Sequence, residues 1–191
     1  MTESAFAPSI LGGPWSRRHG LAARRAWVDE LPWSEPQSEE GTAACWAWTQ
    51  TTYSEYAAAA SFAAINSALL AAQAPLDLVA ATSEFVIDEL IHVEVSARIA
   101  AHLGGGVPLQ VDLERLVRPP HGASPRLRAA ELIVRTCCVG EAMTILQLDR
   151  SRRRTTSPLI AQALRRILRD EVPHAQLGGW FLEWADGWLN D

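Results

Sequence analysis

Arg169 to Leu177 read RDEVPHAQL, and the fold turns on whether this segment is one wall of a metal site or the frayed end of a helix. Glu171 and His174 stand three residues apart, a spacing that puts both side chains on one face of a helix. Pro173 stands between them. It has no N–H for the carbonyl of Arg169 and its ring collides there, at a cost of about 3 kcal/mol in an ordinary helix interior. Alone, the segment leaves both readings open.

The chain around it is ordinary in composition. Of its 191 residues 48% are apolar and 20% charged, which suits one globular domain with a sizeable core. The net charge of -5 gives no reason to expect a nucleic-acid partner. All 17 basic residues are Arg, which excludes lysine Schiff-base and pyridoxal-lysine chemistry. Cys45, Cys137 and Cys138 are an odd set without metal-ligand spacing, which fits a reducing compartment better than a disulfide scaffold. SRRHG, Ser16 to Gly20, has the paired Arg of an export signal, but the LAARRAWVDELPW that follows carries charges where an apolar run is needed. No segment is long and apolar enough to span a membrane. A cytoplasmic protein is expected.

Residues 1–42 are rich in Trp, Pro, Ser and Glu and are expected to form a mostly irregular extension, with at most one short helix around residues 21–31. Residues 43–191 are expected to be helical almost throughout, with no strand-like alternation. The first helix should span about residues 44–72 and stop at Ala74-Pro75. The second should span about residues 76–103 and end at Gly104-Gly105-Gly106. The third and fourth both open with Ser-Pro, at Ser124-Pro125 and Ser157-Pro158. Ser caps the free amides there, and Pro takes the first helical position, where no N–H is needed. The third helix should reach about Arg152 and the fourth Leu177 or beyond. Short first and last links with a long middle link, residues 107–123, describe an all-α four-helix bundle with one crossover.

Each helix carries an acid on its apolar stripe. The stripes read Glu55, Ala59, Phe62, Leu69 on the first helix and Leu78, Phe85, Glu89, His92, Ile99, Leu103 on the second. The third reads Leu127, Val134, Cys138, Glu141, Ile145, Leu148, and the fourth Ile160, Leu164, Ile167, Glu171, His174, Phe181. A lone buried carboxylate loses its hydration at high cost, and that cost disappears if the carboxylates share cations. The depths agree. At 1.5 Å per residue, Glu55 lies roughly 25 Å before the end of its helix and Glu89 with His92 roughly 21 Å into theirs. Glu141 and Glu171 stand at similar distances either side of the last turn. Random placement of 14 Glu and 5 His in 191 residues yields roughly 0.4 Glu-x-x-His pairs. Two such pairs, on the second and fourth helices, with single Glu on the other two, match the general di-metal bundle pattern.

On SEYAAAASF (Ser54–Phe62), IDELIHVEVSARIA (Ile87–Ala100), CCVGEAMTI (Cys137–Ile145) and DEVPHAQLGGWFLEW (Asp170–Trp184) the chain resembles the ferritin-like di-iron carboxylate superfamily. Within it, the chain is most similar to the small bacterial ferritin-like domain proteins. The resemblance covers about residues 54–184. It implies a ferritin-like bundle and a cofactor of two Fe ions, or Fe with Mn. Glu55, Glu89 and His92 would bind one metal and Glu141, Glu171 and His174 the other, with two Glu bridging. The implied function is a non-haem di-iron oxidoreductase, an oxidase or oxygenase that activates dioxygen or peroxide on a small organic substrate. Without a rubredoxin-like Cys-x-x-Cys module, electrons would come from substrate or from a separate reductase; a homodimer is compatible. Two other readings stay open: an iron-handling ferroxidase or storage protein, and a structural or interaction bundle depleted of metal by Pro173.

Around the ligands, Asp88 and Asp170 are candidates to accept the N–H of a ligand His on a neighbouring helix. Tyr56, and Tyr53 near it, are candidates to shape the pocket beside Glu55. Cys137 and Cys138 are expected as small buried filler. Glu84, Glu94 and Glu131 are expected to be solvated, and His19, His102 and His121 to lie at the surface. Trp46, Trp48, Trp180, Trp184 and Trp188 are expected to pack the terminal segments together. A kink or bulge is expected at Pro173.

Overall fold

The structure, a computed structural model, describes residues 4–6, 8, 26–33 and 41–189. It is all-α. The helices are α1 (Ala26–Asp29), α2 (Gly41–Ala71), α3 (Leu76–His102), α4 (Pro125–Ile133), α5 (Ala142–Arg154) and α6 (Pro158–Leu189), with a π-helical segment, Val134–Glu141, joining α4 to α5. One two-residue ladder accompanies them: β1 (Ser4–Ala5) pairs antiparallel with β2 (Gln110–Val111). The irregular extension expected for residues 1–42 lies largely outside the described residues, as do residues 21–25 of its short helix and His19.

The expected punctuation is in place. Ser124 accepts from the Leu127 amide at 3.2 Å and Ser157 from the Ile160 amide at 3.2 Å, each with Pro at the first helical position. The end of α3 is closed by Gly104 and Gly105, at φ 121° and 111°, a backbone that only glycine adopts without strain. The long connection then runs along the molecule. At its start Cys45 Sγ donates to the Leu103 carbonyl at 2.8 Å, and the Val107 amide donates to Thr49 Oγ1 at 3.1 Å. At its end Arg135 Nη2 donates to the Arg118 carbonyl at 2.6 Å. Glu131, which is half-buried rather than fully solvated, accepts from the His121 and Gly122 amides.

Two apolar clusters form the core. One gathers Trp48 from α2, Ile91, Val95 and Ile99 from α3, Leu148 from α5 and Ile160, Leu164 and Ile167 from α6. The other gathers Phe62, Ile65 and Leu69 from α2, Leu78 and Phe85 from α3, Ile133 from α4, Cys137, and Leu177 and Phe181 from α6. The tryptophans are therefore not one group. Trp48 belongs to the first cluster and Trp184 and Trp188 flank the second, because α2 begins where α6 begins and not where α6 ends.

The third helical segment departs from the reading above. Its buried positions are Ala129, Ala130, Leu132, Ile133, Cys137, Glu141 and Leu148, while Leu127 and Val134 are exposed and Cys138 and Ile145 are half-buried. A π-helix turns through more residues than an α-helix, so Ile133, Cys137 and Glu141 fall in line at intervals of four. The α-helical stripe through Val134 and Cys138 assumed too tight a turn. No bulge interrupts the helix at Pro173: residues 169–174 are α-helical within α6 (Pro158–Leu189). Burial of Ile167 before Pro173 and of Leu177 after it, with Glu171 and His174 held by partners on α3, offsets the lost backbone bond.

Gly178 on α6 explains how the π segment is received. A Cβ there would stand 2.5 Å from Cys138 Sγ and 3.4 Å from the Cys138 amide nitrogen, whereas a Cβ on Gly179 meets nothing within 4 Å. Two adjacent substitutions should therefore have opposite signs. Gly178→Ala is expected to destabilise by about 1–3 kcal/mol through overpacking. Gly179→Ala is expected to stabilise by roughly 0.5–1 kcal/mol, because Ala holds a helix better than Gly. Urea unfolding followed by circular dichroism reads both.

Candidate metal centre

Between the two apolar clusters lies a layer of ionisable side chains. Glu55 comes from the middle of α2, Glu89 and His92 from the middle of α3, Glu141 from the end of the π segment, and Glu171 and His174 from the middle of α6. All six are buried, four of them with no exposed surface. Each follows from helical spacing: Glu55 is seven residues from buried Phe62, Glu89 four from Phe85, and Glu171 four from Ile167.

The ligand atoms fall into two groups. Glu55, Glu89, His92 and Glu171 can each offer one atom such that all lie within 4.8 Å of one another, and so can Glu89, Glu141, Glu171 and His174. The six expected ligands are thus brought together, close enough to hold a metal ion. Glu89 and Glu171 belong to both groups, a distinction that spacing alone could not make.

His92 and His174 are used alike. His92 Nδ1 points inward, 3.2 Å from Glu171 Oε1, 3.5 Å from Glu89 Oε2 and 3.8 Å from Glu55 Oε2. Its Nε2 points outward, 3.7 Å from Asp170 Oδ2. His174 Nδ1 lies 3.0 Å from both Glu89 Oε1 and Glu171 Oε2, and its Nε2 lies 3.6 Å from Asp88 Oδ2. Each Asp-Glu-x-x-His run therefore sets its Asp beside the His of the other, at 3.6–3.7 Å, too long for the hydrogen bond expected of Asp88 and Asp170. Arg166, one turn before Asp170, adds a partner that the sequence reading missed: its Nε is 3.3 Å from the same Asp170 oxygen. The i,i+4 spacing of Arg and Asp was the signal for it. Tyr56 lies outside both groups, and its ring meets Phe6 edge-on at 5.4 Å.

The layer is close without being satisfied. Both Glu89 oxygens, both His92 nitrogens, Glu171 Oε1 and His174 Nε2 are sealed from solvent with no hydrogen-bond partner. Such a group costs about 1–3 kcal/mol when left alone, and buried polar groups elsewhere in proteins are paired. Carboxylate oxygens and imidazole nitrogens converging in this way are the donor set a hard-to-borderline cation takes. The residues fit a metal.

Without one, protons do the balancing. Burial raises the Glu55 carboxyl to about 8 from an ordinary 4.5, helped by the charges of Glu89 and Glu171. Burial likewise raises Glu141 to about 10, again with Glu171 and Glu89 pushing the same way. Glu89 and Glu171 go the other way: burial works upward on both, but their contacts with His92 and His174 outweigh it and hold both below the ordinary range. Burial lowers His174, and contacts with Asp88, Glu171 and Glu89 overcome this and lift it to about 11. His92 is raised in the same way by Asp170, Glu171, Glu55 and Glu89, against burial. These shifts favour the neutral acid at Glu55 and Glu141, the carboxylate at Glu89 and Glu171, and the imidazolium at His92 and His174.

No protein-family profile, curated protein or solved structure matches the chain. Among the described residues, no helix is long and apolar enough to cross a membrane.

These shifts set how the metal-free protein responds to pH. A group with a raised folded-state pKa contributes stability below its unfolded pKa and loses it as pH rises through the folded value. Glu55 and Glu141 lose theirs from about 4.5 upward through 8 and 10, and His174 from 6.5 upward through 11. Chelator-treated protein should melt at a lower temperature at pH 9 than at pH 6. Glu141→Gln, which stays neutral, should melt above the unsubstituted protein at pH 9, the gap widening with pH by up to about 1.4 kcal/mol per unit. Calorimetric melts across this range measure it.

Proposed function

We propose that the chain is a ferritin-like four-helix bundle whose waist holds two Fe ions, or Fe with Mn, and that it is a non-haem oxidase or oxygenase. It would activate dioxygen or peroxide against a small organic substrate. The observation that carries the reading is the sharing of Glu89 and Glu171 between two ligand groups, each completed by one further Glu and one His. Four carboxylates and two imidazoles suit iron and manganese, and the arrangement agrees with the general plan of di-metal bundles.

The bundle is supported by the order in which the helices meet the two apolar clusters. α2 and α6 start in the cluster of Trp48 and finish in the cluster of Phe62, while α3 and the α4–α5 segment run the opposite way. On this reading α3 and the next segment are parallel, and the long connection between them is the crossover. Three free cysteines accord with a cytoplasmic setting.

Glu55, Glu89 and His92 would hold one metal and Glu141, Glu171 and His174 the other, with Glu89 and Glu171 reaching both. Bound there, the metals supply the redox chemistry by which dioxygen or peroxide accepts electrons from substrate or a separate reductase. The chain's residues supply the setting. Asp170 and Asp88, 3.7 and 3.6 Å from the outward Nε2 of His92 and His174, would favour a proton on that nitrogen by their charge, leaving each inward Nδ1 to present a lone pair to a metal. The apolar clusters on either side keep water from the layer and strengthen every charge interaction in it. Two divalent cations would exchange for the protons of two imidazoliums and two carboxylic acids.

Metal analysis of protein expressed with iron and manganese tests this, followed by dioxygen consumption of the ferrous form. About two metal ions per chain are expected. Glu171→Ala should abolish binding of both, because both groups use it, whereas Glu55→Ala should spare one. Loading chelator-treated protein at neutral pH should release about four protons per chain, and affinity should rise with pH. Metal-free protein from supplemented cells would refute the reading.

A further inference from the structure

α1 is a short helix fastened firmly to the others. Val28 and Leu31 are buried in the first apolar cluster. Asp29 Oδ1 pairs with Arg98 Nη1 at 2.8 Å, and Trp33 Nε1 donates to the Val28 carbonyl at 2.6 Å. Between α1 and α6 this leaves a cavity of about 310 Å³, lined by Trp27, Glu30, Leu31, Gln162, Arg165, Arg166 and Arg169.

The charge of this groove runs against that of the chain. Three Arg face one Glu in a protein of net charge -5. Arg165 and Arg169 are four residues apart on one helix, where like charges repel, and neither forms an ion pair with another described residue. An oxyanion between them would remove the repulsion, and the planar guanidinium forks are suited to gripping one bidentately. Trp27, whose ring lies 5.5 Å from the Arg166 guanidinium carbon, and Leu31 form an apolar wall beside the charges. The volume is near the lower end of small-molecule sites.

We infer that the α1–α6 groove binds a small organic oxyanion: a carboxylate or phosphate ester held by Arg165 and Arg169, with its apolar or aromatic body against Trp27 and Leu31. The groove also backs onto the metal layer. Arg166 Nε is 3.3 Å from Asp170 Oδ2, and that oxygen is 3.7 Å from His92 Nε2. An anion that draws Arg166 into the groove weakens its hold on Asp170 and, through it, alters the support of His92. Anion and metal affinities are then linked reciprocally. This second clause rests on the proposed metal function; the first does not.

The test is titration calorimetry of the full chain after chelator treatment, with benzoate, phenyl phosphate and inorganic phosphate as separate probes. Benzoate or phenyl phosphate should bind. The Arg165→Gln/Arg169→Gln variant, checked for unchanged melting, should bind about tenfold more weakly or worse. Arg128→Gln, on α4, should bind normally. No heat from any probe, or undiminished binding in the double variant, overturns the site. Inorganic phosphate binding as tightly as phenyl phosphate overturns the role of Trp27 and Leu31. Repeating a Mn(II) titration with and without the bound probe reads the coupling: a shifted Mn(II) affinity supports it and an unchanged one refutes it. If Mn(II) does not bind at all, the metal reading and the coupling fall together, while the calorimetric result for the groove stands.

Discussion

Six ionisable side chains shut into the waist of an apolar core must offset one another's charges there, and the rest of this structure depends on that constraint. An isolated carboxylate in such a place loses far more hydration energy than packing returns. The fold answers by bringing Glu55, Glu89, Glu141 and Glu171 to one depth and interleaving His92 and His174 with them. Because each His reaches toward acids from other helices, the layer fixes the relative heights of the helices in a way that apolar stripes alone do not. Protons on Glu55 and Glu141 relieve the constraint when no metal is bound, and cations would do so under the proposed metal reading.

The same constraint accounts for two departures from regular packing. Glu141 has to arrive in the layer with Cys137 and Ile133 behind it, and the π segment Val134–Glu141 supplies that register. Its wider girth needs room, which Gly178 provides on the facing side of α6. Pro173 is tolerated for a related reason. Glu171 and His174 on either side of it are anchored to partners on α3, so the helix is held by tertiary contacts where its own ladder lacks a bond.

The sequence was legible wherever α-helical periodicity was obeyed. Glu55, Phe62 and Leu69, then Phe85, Glu89 and His92, and Ile167, Glu171 and His174 were all read from the 3.6-residue repeat and are all buried. The nearness of Asp170 to His92 and of Asp88 to His174 was legible too, because each Asp directly precedes its motif Glu. The third helical segment was read one position out, at Val134 and Cys138 instead of Ile133 and Cys137, because nothing in VRTCCVGE announces a π turn. Pro173 was given a kink or a bulge, and the helix around it carries no bulge. Trp48 was grouped with Trp184 and Trp188, since sequence shows two termini but not that α2 begins at the end of the molecule opposite to where α6 finishes. Arg166 escaped notice because its importance depends on what Asp170 touches.

The central claim is that this layer is a two-cation centre built around Glu89 and Glu171. Anomalous diffraction at the iron and manganese edges, from crystals of protein expressed with both metals, tests it most directly. The account predicts two peaks, one beside Glu55 and His92 and one beside Glu141 and His174, with Glu89 and Glu171 touching both. Crystals without either peak, in which the carboxylates and imidazoles bond only to one another or to water, would contradict it.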